Sequence, residues 1–177
     1  MRKLIAAAFA LLLSGCWMGS NLYSASDARP AMPPGLYRLE GIESENPTGR
    51  VLNLPNGMTQ FGDGDERLLI GFVPLDAEGR IFASWVPDHA VDRAAEPVVI
   101  FNLVERLGDD VYIFYLPTCD GEDREIARAA GAVVELGPSV TTCTFDSRAS
   151  LEDALRRLRP RPEREYMRLV RIGDGER

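Results

Sequence analysis

The sequence predicts an α+β domain. The expected layout is an antiparallel β-meander of about six or seven strands, two C-terminal helices and a closing strand, with a small lipocalin-like β-barrel as the alternative. Three observations predict it. From residue 35 onward, short apolar or alternating runs are separated by turns rich in Gly, Pro, Asn and Asp. After Leu116 the apolar period shifts from two residues to that of a helix. The last segment alternates again, and pairing it with the first run would close the sheet into the alternative barrel. Strands and helices do not alternate along the chain, which excludes a doubly wound parallel sheet.

Residues 35–42 (GLYRLEGI) read as the first strand, and 51–54 as a short second one before the turn pair Asn56-Gly57. Residues 68–75 and 80–86 are joined by Asp76-Ala77-Glu78-Gly79, which is hairpin spacing. Residues 98–105 and 111–116 are the strongest pair; both are apolar on both faces, so they are expected to be central and covered on both sides. Pro55, Pro74, Pro87, Pro97 and Pro117 fall at or near strand ends, where a missing N–H does least harm. Asp120-Gly121-Glu122-Asp123 opens a helix that stops at Gly131, with acids at its positive end. A second helix runs from Leu151 to near Arg159 on an apolar stripe of Leu151, Ala154, Leu155 and Leu158. Ser150 and Asp153 resemble a capping box at its start, and Pro160 and Pro162 end it. Residues 165–172 form the closing strand, with Tyr166, Arg168, Val170 and Ile172 on one face and Met167, Leu169 and Arg171 on the other.

The chain has 177 residues, 45% apolar and 27% charged, with a net charge of -7. That composition is globular, and the length supports one core. The acidic balance argues against binding a phosphate backbone, so no nucleic-acid partner is expected.

Residues 1–15 do not belong to the fold. Arg2 and Lys3 precede an unbroken apolar run of ten residues, Leu4 to Leu13. A bilayer span needs about 20, whereas ten suits a signal peptide. The run ends in Leu13-Ser14-Gly15-Cys16, which resembles the lipobox of bacterial lipoproteins. The resemblance implies cleavage before Cys16, diacylglycerol on its sulfur and an acyl chain on its new amine. Trp17, not Asp, follows the cysteine; by similarity to the enteric sorting rule, this favours the outer membrane over the inner. Cleavage removes Arg2 and Lys3, the chain's only lysine, leaving 18 Arg against 27 acids and a net charge of -9. Schiff-base and lysine-base chemistry are thereby excluded.

Residues 16–34 read as a lipidated cysteine and a flexible tether rich in Ser, Asn, Ala and Pro, with a reach of roughly 25 Å. Residues 35–177 read as a single periplasmic domain. With Cys16 taken by lipid, Cys119 and Cys143 remain as an even pair in an oxidising compartment and are expected to form a disulfide. No CxxC exists, so neither a zinc site nor a redox motif is supported.

His89, the only histidine, lies in Pro87-Asp88-His89-Ala90-Val91-Asp92 between two strands. Asp88 or Asp92 would orient it in a triad, but no nucleophile motif exists; Ser84, Ser139, Ser147 and Ser150 are equivalent candidates. The acidic turns 63–66 and 120–123 lack the calcium-loop pattern and read as solvated turn and helix cap. The last 30 residues hold nine Arg and six acids, which reads as a surface helix whose dipole favours Arg at its end. Phe72, Phe82, Trp85, Phe101, Tyr112, Phe114 and Tyr115 crowd the expected sheet and read as core. The run YLPTCDGED, the later Cys, the amphipathic helix and the closing YMRL are similar to small proteobacterial lipoproteins over about the last 60 residues, a likeness that implies no activity.

The leading expectation is a non-catalytic binding or interaction module of the cell envelope, anchored by lipid and facing the periplasm. Its partners would be membrane lipid and an envelope protein, and no cofactor or metal is called for. The alternatives are a hydrolase using carboxylates or His89, and a carrier of an apolar ligand inside the β-structure.

Overall fold

In a computed structural model of the chain, the described residues are 16–19, 22–41, 48–62, 67–86, 99–137 and 141–174. Eight strands run up and down in chain order: β2 (Gly35–Glu40), β3 (Thr48–Asn53), β4 (Thr59–Phe61), β5 (Leu68–Pro74), β6 (Ile81–Trp85), β7 (Val99–Leu107), β8 (Val111–Tyr115) and β11 (Glu165–Gly173). Each pairs antiparallel with the next. β11 then pairs with β2, placing Leu169 opposite both Leu39 and Tyr112. The ring is complete, so the sheet is a closed eight-stranded barrel. This is the architecture expected as the alternative; it keeps the meander order, the two helices and the closing strand of the leading expectation.

Strand alternation builds two cores. Inward positions such as Tyr37, Ile70, Phe72, Phe82, Phe114 and Leu169 form one cluster inside the barrel. Outward positions on β5–β8, including Val73, Trp85, Phe101, Leu103 and Ile113, form a second cluster with the helices. The strands read as apolar on both faces, β7 and β8, are therefore covered on both sides. Gly71 faces Trp85 across β5 and β6, and its missing Cβ is the space the indole occupies.

Helix α1 spans Gly121–Ala129 and α2 spans Arg148–Arg157. Leu151, Ala154, Leu155 and Leu158 are all buried, as the stripe predicts. The start of α2 differs from the expectation. Ser147, not Ser150, caps it, accepting the Ser150 N–H at 3.1 Å; Asp153 instead pairs with Arg157 at 2.6 Å. The first turn, Arg148-Ala149-Ser150, carries no large apolar side chain, so the apolar stripe began one turn after the helix did. Gly131 follows the Ala130 cap of α1, and its φ of 94° favours glycine.

The segment read as a tether is packed. Trp17 heads a strand, β1 (Trp17–Gly19), and is 0% exposed. β1 lies between β7, antiparallel, and β10 (Thr141–Phe145), parallel. β10 pairs with the outermost strand β9 (Val133–Leu136), whose Leu136 is 77% exposed. Residues 28–34 cross one end of the barrel as a strap. Met32 is 1% exposed and joins the inner core. The Tyr112 hydroxyl donates to Ala31 O at 3.0 Å, Tyr37 to Pro33 O at 2.9 Å, and Asn53 Nδ2 to Met32 O at 3.0 Å. A polar composition read as flexible because its contacts come from residues distant in sequence. Strands β1, β4, β9 and β10 escaped the sequence reading because three to five residues give periodicity too little length to register.

Candidate functional site

The disulfide between Cys119 and Cys143 is present, with Cα atoms 5.4 Å apart and 24 residues between them in sequence. It joins the loop after β8 to β10. Its surroundings hold the N-terminal junction. Trp17 lies opposite Cys143 in the β1–β10 pair. Cys16 bridges Thr118, the neighbour of Cys119. The Trp17 indole donates to Thr118 O at 3.0 Å and packs against Phe145 at 5.2 Å. Cys16 is 1% exposed, and burial pushes its thiol up to about 11. A thiol held protonated in this way is a poor nucleophile.

Two segments after the junction, Tyr23 stacks on Trp85 at 4.9 Å. Arg148 sits 4.9 Å above the same ring. The Tyr23 hydroxyl donates to Glu152, which also receives Arg148 at 2.7 Å and Arg156 at 2.8 Å. This node fastens the N-terminal segment to α2 and the outer barrel wall.

Inside the barrel, Ser84 on β6 and Asn102 on β7 are direct cross-strand neighbours. Both share the inward face with Phe82 and Val104, and they are 0% and 5% exposed. Ser84 Oγ and Asn102 Oδ1 have no hydrogen-bond partner. An unpaired buried polar atom costs about 1–3 kcal/mol, which makes the pair a candidate contact for a polar group inside the barrel. It lies near the barrel end opposite the strap, where Phe61, Leu68, Val86 and Tyr166 are half-buried. The sequence offered Ser84 only as one serine among four; its inward register on β6 is what singles it out.

The remaining candidates separate. His89, Asp88, Asp92, Ser139 and the turn 63–66 lie outside the described residues. Ser147 and Ser150 are occupied by the α2 cap. Of the second acidic turn, Asp123 is fully buried against Arg164 and the Thr118 N–H; burial raises its pKa although both partners oppose the shift. Among the described residues no group of three or more His, Cys, Asp or Glu could hold a metal. The aromatic crowd divides by alternation: Phe72, Phe82, Tyr112 and Phe114 face the barrel interior, while Trp85, Phe101 and Tyr115 face the helices. Arg148, Arg156, Arg157, Arg161, Arg164, Arg168 and Arg171, seven of the nine arginines in the basic C-terminal stretch, sit in ion pairs.

No protein-family model, curated protein or solved structure matches this chain.

Proposed function

We propose that the protein is a lipid-anchored, periplasm-facing module of the bacterial cell envelope that binds or organises a partner without catalysis. The observation that carries this reading is Leu13-Ser14-Gly15-Cys16 at the end of a basic n-region and a ten-residue apolar run. The Cys119–Cys143 disulfide supports it, because structural disulfides persist in exported proteins. With Cys16 acylated and Cys119 bonded to Cys143, no thiol is left to act as a cysteine nucleophile. The expected partners are membrane lipid, through the acyl anchor, and an envelope protein; Trp17 after the cysteine favours the outer membrane. Metabolic labelling with palmitate tests the anchor: label should enter the wild type and be absent from Cys16→Ser. Equal labelling of both would refute it.

A second reading, a carrier of a small amphiphile, is favoured by one observation, the unpaired Ser84 and Asn102 atoms inside the barrel. They would accept the polar end of a ligand whose apolar body lies against the inner aromatic cluster. Asn102→Leu tests it. If the pair serves a ligand, the variant loses lipid that co-purifies with the wild type. If the polar atoms are merely tolerated, the variant carries the same lipid and gains about 1–2 kcal/mol of stability.

A further inference from the structure

We propose that the cleft between the start of the strap and the β3–β4 turn binds the chain-terminal carboxylate of a partner peptide whose last residues are small and apolar. The proposal deepens the binding-module reading by naming what is bound; it rests on that reading and does not need the lipid anchor. Two stretches distant in sequence build the cleft. One is 26–30, which leaves the short turn Ala25–Asp27; the other is 54–57, which joins β3 to β4. They meet closely. Gly57 has a φ of 86°, and a Cβ there would stand 2.4 Å from Ala28 O, so the approach requires glycine. The space enclosed is about 440 Å³, within the range of roughly 300–1,000 Å³ of small-ligand sites. It is open to solvent, which suits the end of a longer chain.

Arg29 carries the recognition. Its Nη1 donates to Ser26 O at 2.9 Å and to Ala28 O at 2.8 Å, which fixes the guanidinium plane. Among the described residues, its Nε and Nη2 have no acceptor and no carboxylate pairs with it. The neighbouring Asp27 is engaged elsewhere, by Arg148 on Oδ1 and by Ser24 on Oδ2. Every arginine of the two helices, by contrast, sits in an ion pair. On the other wall, Asn56 Oδ1 accepts the Met58 N–H at 3.2 Å, which leaves the Nδ2 hydrogens as donors. The carbonyls of Ser26, Ala28 and Leu54 are taken by Arg29 and Gly57, and the Ser26 hydroxyl pairs with that of Ser24. The unspent side-chain groups of the cleft are therefore donors, and one of them is charged. Nε and Nη2 form the edge of a guanidinium that clasps a carboxylate with two parallel bonds. Pro30, Leu54 and Pro55 add apolar wall for the side chain beside that carboxylate. In a chain of net charge -7, a fixed and unmatched cation draws an acid to a place the rest of the surface does not.

The test titrates the full-length protein, in detergent micelles, with N-acetyl-alanyl-alanine and follows the amide NMR shifts. The dipeptide acid should move the amides of 26–30 and 54–57 and saturate. Its C-terminal amide, acetate and inorganic phosphate should each bind at least about tenfold more weakly. Asn56→Asp keeps the acceptor for Met58 but puts a carboxylate where the donor was; it should weaken the dipeptide at least about tenfold and leave the melting temperature unchanged. Arg29→Gln should weaken it by as much. Equal binding of acid and amide, or binding that survives both substitutions, overturns the proposal. Acetate as tight as the dipeptide overturns the peptide terminus, and phosphate as tight overturns the choice of carboxylate. Shifts confined to other residues overturn the site. All of these leave the binding-module reading standing. Hydrolysis of the dipeptide during the titration would overturn the non-catalytic reading, and the proposal with it.

Discussion

Glu152 shows how one side chain connects distant parts of the chain. It receives Arg148 and Arg156 from its own helix and the hydroxyl of Tyr23 from the N-terminal segment. Burial acts to raise its pKa, but the two guanidinium groups outweigh it and hold the carboxyl below the ordinary glutamate value. A folded pKa below the unfolded one means stability that is present above the unfolded value, near 4.3, and lost as pH falls through the folded one. Glu152→Gln should therefore cost about 1–2 kcal/mol at pH 7. The gap between wild type and variant, measured by urea denaturation, should close as the pH drops below about 4. A gap that persists undiminished at pH 3 would show that charge plays no part.

At the scale of elements, the disulfide and β1 act together. The bridge closes a loop of about 25 residues, worth on the order of 3 kcal/mol in the chain-entropy model. Replacing both Cys119 and Cys143 with serine should lower the melting temperature by roughly 6–12 °C. Because Trp17 lies opposite Cys143, the loss should also appear locally. Amides of β1 and β10 should exchange faster than those of β3 and β4 in the double variant. Uniform acceleration across the barrel would mean that the bridge does not clamp the N-terminal strand. Thiol titration of the native domain before reduction should find neither cysteine reactive.

At the scale of the whole molecule, the N-terminal segment is structural at both of its ends. Trp17 enters the outer core and Met32 the inner one. Burying each such side chain contributes about 1.5–3 kcal/mol. A chain beginning at Gly35 should therefore lose about 3–6 kcal/mol relative to one beginning at Trp17, a large part of a typical stability of 5–15 kcal/mol. Thermal unfolding followed by circular dichroism checks this. Equal melting temperatures would restore the tether. Barrel closure is equally non-local, since β2 and β11 lie at opposite ends of the chain and pair directly.

Much of this was legible in the sequence. Seven of the eight barrel strands, both helices and the two-sided covering of β7 and β8 follow from period and turn chemistry, which act over a few residues. The Cys119–Cys143 pair followed from counting cysteines in a chain read as exported. Three things required the tertiary structure. Closure depended on β11 meeting β2, a register no local signal encodes. The packing of residues 16–19 and 22–34 depended on partners such as Thr118, Tyr112 and Trp85, so stretches without periodicity of their own became ordered. The unpaired Ser84 and Asn102 became visible only when strand register turned both into the barrel. Local chemistry determines which elements form; which side chains share an interior is decided by pairings that span the whole chain.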